Sequence, residues 1–247
     1  MEVKALVQLF WVVGMVCQAA LAVVLLLRKS WKAFPVFTLY SIFNLFAALF
    51  VYMAQHDPRL YFYSYWLAEA VGILLGFGVL YEVFRHLFLG HAALRKVASF
   101  AFNCGLIIVI AIAVIVLLKH SAAGFSAISS AVLILEESAR IIEVGALVSL
   151  FVLSSAFGLH WRQQVFGIAL GLGMFTAVEL ITVTMRTQSG QATYYLLGAV
   201  RILAFNASLL VWLGYFMARE KTTIVVDLPQ RSQLEQWNQA VMELIRQ

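Results

Sequence analysis

Charge is scarce in this chain: 12% of its 247 residues are Asp, Glu, Lys or Arg, 63% are hydrophobic, and mean hydropathy is +0.93. A soluble domain cannot cover that much apolar surface with polar groups, so a water-soluble fold is excluded and a bilayer is the expected solvent. Cysteine is nearly absent. Cys17 and Cys104 both fall within apolar runs and read as small core residues rather than a disulfide or redox pair. All six lysines, Lys4, Lys29, Lys32, Lys96, Lys119 and Lys221, lie outside the apolar runs, so a retinal Schiff base within the membrane has no candidate.

Histidine is equally confined. His56, His86, His91, His120 and His160 sit in loops or at helix ends, which leaves paired haem ligation inside a bundle unsupported. His86 and His91 lack a cysteine or carboxylate at ligand spacing, and no membrane glutamate begins a Glu-x-x-His pattern. Catalytic triads, phosphate loops and dinucleotide fingerprints are also missing. No metal, cofactor or catalytic residue is therefore expected, and the reading leans away from an enzyme.

Apolar runs cover about 6–27, 35–54, 64–84, 97–118, 138–159, 165–185 and 194–218, each bounded by charged, Pro, Gly or Ser-containing turns. A span needs about 20 apolar residues, so the pattern predicts an all-α, polytopic integral membrane protein with seven transmembrane helices. Residues 1–218 form that domain, and 219–247 form a short cytoplasmic tail. Pro35 stands where a first-turn proline would start the second helix, and Asp57-Pro58 marks the turn after it. The fifth apolar stretch runs from Phe125 to Leu159, too long for one upright span. Either a tilted helix projects beyond the bilayer or 125–137 forms a separate surface turn.

Lys and Arg counts near the span ends set the orientation. Eleven (Arg28, Lys29, Lys32, Arg85, Arg95, Lys96, Arg162, Arg219, Lys221, Arg231, Arg246) fall on one side and four (Lys4, Arg59, Lys119, Arg186) on the other. The amino terminus is thus expected outside and the carboxyl terminus in the cytoplasm, in a membrane of the bacterial inner (plasma) membrane type. Basic loops facing anionic lipid account for the net charge of +5, and no nucleic-acid-binding motif accompanies them. No cleaved targeting peptide is expected, because the first run lacks a basic region ahead and a small-residue cleavage pattern behind. Tyr61, Tyr63, Tyr65 and Trp66, with Tyr194 and Tyr195, read as an interfacial belt on the outer side.

Against this background Glu69, Arg140, Glu143, Glu179 and Arg201 stand out, since a charge inside a span costs at least a few kcal/mol and usually faces the bundle interior. Counting 1.5 Å per residue from the cytoplasmic ends places four of them at roughly 22 to 26 Å and Arg140 near 28 Å. Four helices then deliver acid or base to one outer level. Glu136, Arg140 and Glu143, spaced four and three apart, share a helix face and can pair along it, whereas Glu137 points elsewhere. With Glu136 the layer holds four acids against two arginines, so a dry layer would retain a proton and an open one would be the floor of a vestibule. Two roles remain open, a structural ion-pair network or a ligand or ion site formed by Glu69, Glu136, Arg140, Glu143, Glu179 and Arg201.

A milder polar level runs through Gln18, Asn44 and Asn206 at about 13 to 18 Å, where amides can bond across helices. The third and sixth runs both carry a GxxxG spacing, Gly72-Ile73-Leu74-Leu75-Gly76 and Gly167-Ile168-Ala169-Leu170-Gly171. An inverted repeat of three helices is conceivable from them, although the flanks do not match and the seventh run has no counterpart. Glu82 is expected to pair with Arg85, His86 or Arg162. In the tail, Ser232 and Glu235 form a capping box for an amphipathic helix through Leu234, Trp237, Val241, Leu244 and Ile245, which either lies on the inner surface or engages a protein partner.

The topology resembles that of seven-helix receptors and of the membrane input domains of bacterial sensor kinases, without a shared motif. The expectation is a receptor-like or sensory module taking a small ligand from the outer side. The alternatives are a small-solute or proton-coupled transporter, a structural subunit of a membrane complex, or a lipid-headgroup enzyme.

Overall fold

The computed structural model describes residues 2–88, 124–156, 163–188 and 194–218, with isolated positions 107 and 111. Every element among them is helical: α1 (Glu2–Leu27), α2 (Pro35–Met53), α3 (Pro58–Leu87), α4 (Gly124–Ala156), α5 (Gln163–Gln188) and α6 (Tyr194–Met217), with short 3-10 turns at Ser30–Lys32 and Ala54–His56. All six helices are long and apolar enough to cross a membrane. The expected span at 97–118 and the tail helix beyond 218 lie outside the described residues. Six of the seven apolar runs thus correspond to described helices.

Local chemistry sets the ends. Pro35 opens α2 at its first position, where the missing N–H costs nothing. Asp57 caps α3, its carboxylate accepting from the backbone N–H of Arg59 (2.9 Å) and Leu60 (3.3 Å), with Pro58 in the first turn. Between α1 and α2 the chain reverses through Lys29, whose φ of 55° is left-handed. Arg28 donates to the carbonyls of Met217 (2.8 Å) and Ala218 (3.2 Å), closing the carboxyl end of α6. The long fifth run resolves as one uninterrupted helix, α4, rather than a turn followed by a span. At 33 residues it measures about 50 Å, longer than a hydrocarbon core of about 30 Å.

Each helix packs against the next and α6 returns to α1, so the six close a ring, with α3 also touching α5 across it. Burial is inverted relative to a soluble protein. Val16, Leu67 and Leu210 are 61–67% exposed, while Glu143 and Glu179 are fully buried. Apolar side chains face outward where lipid can meet them, and the ionisable groups face in. We call the two ends the amino-terminal face, where α1 begins, and the opposite face. Toward the opposite face the ring is filled by aromatic packing: Phe37 stacks on Phe216 and meets Trp212 edge-on, and Phe34, Phe88 and Leu80 complete the plug.

The two GxxxG runs do unlike work. On α5, Gly167 lies against the Tyr215 ring and Gly171 against the Trp212 indole, so α6 seats directly on the α5 backbone. On α3, nothing among the described residues lies within 4 Å of a Cβ placed at Gly72. Among the described residues the glycines of the two runs thus meet different neighbours. The contrast is testable. A Cβ at Gly171 would stand 2.8 Å from indole carbons of Trp212, a side chain held by its N–H to the Ile168 carbonyl (3.3 Å) and by Phe37 and Tyr40. Gly171→Ala is expected to lower stability by about 1 to 3 kcal/mol through overpacking. Gly72→Ala, in open space, is expected to gain up to about 1 kcal/mol of helix propensity, with unfolding midpoints in nanodiscs as the measurement.

Candidate functional site

All six charged residues singled out in the sequence meet in one network built from four helices. Glu69 comes from α3, Glu136, Arg140 and Glu143 from α4, Glu179 from α5 and Arg201 from α6. Glu179 bridges the two cations, Oε2 lying 3.2 Å from Arg140 Nη2 and Oε1 pairing with Arg201 Nε. Arg140 Nη1 donates to Glu143 Oε2 at 2.8 Å. Arg201 Nη2 donates to both oxygens of Glu69 at 2.7 and 2.9 Å, while Glu69 Oε1 also lies 3.6 Å from Arg140 Nη2.

Pairing along α4 is narrower than the spacing predicts. Arg140 pairs with Glu143 but not with Glu136, because its guanidinium turns toward Glu143, Glu179 and Glu69. Glu136 instead faces Arg201 Nη1 at 4.0 Å, and neither of its oxygens has a hydrogen-bond partner among the described residues. Glu137, on another face of α4, accepts from Thr184 Oγ1 at 3.1 Å on α5. One sequence glycine is explained by the network: a Cβ at Gly76 would lie 2.8 Å from Glu143 Oε1, so α3 leaves room for a carboxylate at that turn.

Burial divides the network into a core and a rim. The side chains of Glu143 and Glu179 are sealed, those of Glu136 and Arg140 are 1% and 6% exposed, and Glu69 and Arg201 reach 10% and 19%. The two rim residues line a cavity of about 940 Å³ between α1, α2, α3 and α6. It extends from exposed Gln8 and Gln55 at the amino-terminal face down to Gln18, Asn44 and Asn206, so the charged layer and the amide level share one chamber. Its volume lies within the range of small-molecule sites.

Two residues of the chamber were assigned differently by the sequence. Tyr65, grouped with the interfacial belt, accepts from Arg201 Nη1 at 3.1 Å through its hydroxyl and lines the chamber wall. Asn44 donates to the Tyr40 carbonyl of its own helix at 2.8 Å rather than across helices. Gln18 does cross, donating to the Ser41 carbonyl (2.6 Å), and Asn206 donates to the Phe10 carbonyl (2.8 Å). Both amide nitrogens donate to backbone carbonyls, and Gln18 Oε1 and Asn206 Oδ1 have no hydrogen-bond partner among the described residues.

Chemically the site offers carboxylates, guanidiniums, a phenol and amide oxygens, with no nucleophile held by a base among the described residues. Oxygens of Glu69, Glu136 and Glu179 lie within 4.8 Å of one another, a juxtaposition that suits a cation. Guanidinium groups already occupy two of those three carboxylates, which leaves Glu136 as the acid with capacity to spare. No protein-family model matches the chain, and neither a curated protein nor a solved structure is similar to it.

Proposed function

We propose that the chain is a receptor-like membrane module of seven transmembrane helices, the seventh supplied by residues 97–118, with its amino terminus outside and its tail in the cytoplasm. A small ligand enters the chamber from the amino-terminal face and works on the Glu69–Arg201 rim of the buried network. The carrying observation is that this rim pair belongs at once to the chamber wall and to an ion-pair network linking α3, α4, α5 and α6. A ligand that takes one partner must therefore redistribute the others and shift helix packing.

The aromatic plug toward the opposite face favours a sensor over a carrier, because Phe37, Trp212 and Phe216 fill the space a solute would cross. Thiol accessibility tests the reading. In a background carrying Cys17→Ser and Cys104→Ser, Ala48→Cys on the chamber wall is expected to react with a membrane-impermeant maleimide added to intact cells. Val148→Cys, 56% exposed on the outer surface of the ring, stays unlabelled where lipid covers it. An unreactive Ala48→Cys would mean a closed structural clamp and end the proposal.

A further inference from the structure

Four acids outnumber two arginines in the network, and the question is what the surplus of acids is for. An anion arriving at Arg201 would draw it from Glu69 and Glu179 and leave three buried carboxylates around Arg140. A cation arriving at Glu69 has the reverse effect, since it lowers the excess and frees Arg201. The freed guanidinium has a place to go. Glu136 is 1% exposed, accepts no hydrogen bond among the described residues, and stands 4.0 Å from Arg201 Nη1.

The chamber narrows the kind of cation. Trp11, Tyr52, Tyr61, Tyr65, Phe175 and Phe205 line it, which suits an apolar body and an organic positive charge better than a bare metal ion. Two buried acceptors of the lining, Gln18 Oε1 and Asn206 Oδ1, have no hydrogen-bond partner among the described residues. The contact for such a charge is at the rim, where Glu69 lines the chamber and a protonated primary amine brings it three donors.

We infer that the chamber takes a molecule bearing a protonated amine on an apolar body, that its ammonium pairs with Glu69, and that Arg201 passes from Glu69 to Glu136. This rests on the receptor reading and specifies its ligand class and its switch. Before binding, Arg201 ties α6 to α3 through Glu69 and to α5 through Glu179. Afterwards the tie to α3 is replaced by one to α4, while Glu179 keeps its hold. The ring exchanges one ion pair and strands no carboxylate.

The probe is a matched series, hexylammonium, hexanol and hexanoate, added to the full chain in nanodiscs, with the thermal unfolding midpoint and tryptophan fluorescence recorded. Hexylammonium is expected to raise the midpoint saturably, whereas the neutral and anionic analogues do not. Ala48→Trp, which fills the chamber and leaves every charge in place, is expected to abolish the effect. Glu136→Gln keeps Glu69 for the ammonium but removes the negative charge that would receive Arg201, so binding should weaken about tenfold. A Glu136 with only a structural role would leave affinity unchanged and overturn the exchange.

Equal stabilisation by hexanoate, or an undiminished effect in Ala48→Trp, would overturn the amine assignment. Nanodiscs of phosphatidylethanolamine and of phosphatidylglycerol separate the two sources of such a group. A lipid headgroup amine would compete with hexylammonium in the first and not the second, whereas a free amine binds equally in both. Maleimide labelling of Ala48→Cys together with no response to hexylammonium would refute this inference alone and leave the open chamber standing.

Discussion

Arg140→Gln is expected to destabilise the bundle by about 3 to 5 kcal/mol, the range seen when one partner of a buried ion pair is removed. Arg140 serves three acids, Glu143 at 2.8 Å, Glu179 at 3.2 Å and Glu69 at 3.6 Å, and its side chain is 6% exposed. Without it Glu143 loses its hydrogen-bonding cation in a fully buried position, and Glu179 keeps Arg201 alone. Neither acid can turn to water, so the cost is that of an uncompensated buried charge. Arg140→Lys restores the charge but not the fork that spreads over three carboxylates, and an intermediate loss is expected. Pairing Arg140→Gln with Glu143→Gln removes one stranded acid with its cation and is expected to recover part of the loss, a coupling visible in a double-mutant cycle. Denaturant unfolding in nanodiscs, followed by tryptophan fluorescence, supplies the numbers. A loss below about 1 kcal/mol, the size of an exposed pair, would mean that water reaches the layer and that the network is not sealed.

What the sequence made legible follows from what a bilayer penalises. Apolar runs mark helices because every backbone polar group must be satisfied inside a span, and six of the seven runs correspond to described helices. Charged residues in those runs are expensive, so their depth alone was enough to predict that α3, α4, α5 and α6 meet at Glu69, Arg140, Glu143, Glu179 and Arg201. Depth does not give azimuth, however. Whether Arg140 turns to Glu136 or to Glu143 depends on which side chains the neighbouring helices present, and no spacing within α4 contains that information.

The same limit hid Tyr65. An aromatic near a span end is usually an interfacial anchor, and only the Arg201 contact distinguishes Tyr65 from Tyr61 and Tyr63, which are 41% and 60% exposed. Glycine spacing was readable as close approach but not as to what. Gly171 makes room for an indole, Gly76 for a carboxylate oxygen, and Gly72 for nothing within 4 Å among the described residues. The chamber itself is a gap between four helices, and a gap has no residue of its own. Its signal in the sequence was the small and polar set Gly14, Gln18, Asn44, Ala48 and Ala68, dispersed over three helices.

Glu82 gives the second large effect. A carboxylate near a span end beside Arg85 and His86 predicts a salt bridge, yet Glu82 faces the start of α2, accepting from Val36 N–H at 3.1 Å and Phe37 N–H at 2.9 Å. The first turn of a helix has unpaired N–H groups and a partial positive charge, so a carboxylate there satisfies donors and dipole together. At 5% exposure no water can substitute. Glu82→Gln keeps one acceptor but sets its amide N–H₂ against a second donor, and about 1.5 to 3 kcal/mol is expected to be lost. Glu82→Ala, leaving both N–H groups unmet, should lose more.

Hexylammonium binding separates this clamp from the switch. Glu82 is thirteen residues from Glu69 along α3, about 20 Å, and the proposed exchange moves Arg201 between α3 and α4 without touching the α2–α3 bond. If the clamp is present in both states, its free energy cancels from binding, so Glu82→Gln lowers the midpoint while the affinity for hexylammonium stays within about twofold. A Glu82→Gln variant that bound tenfold tighter would show instead that the clamp opens when the chamber fills, because only an interaction that breaks on binding can oppose it. The switch would then extend through α2 to the opposite face rather than end at the charged layer.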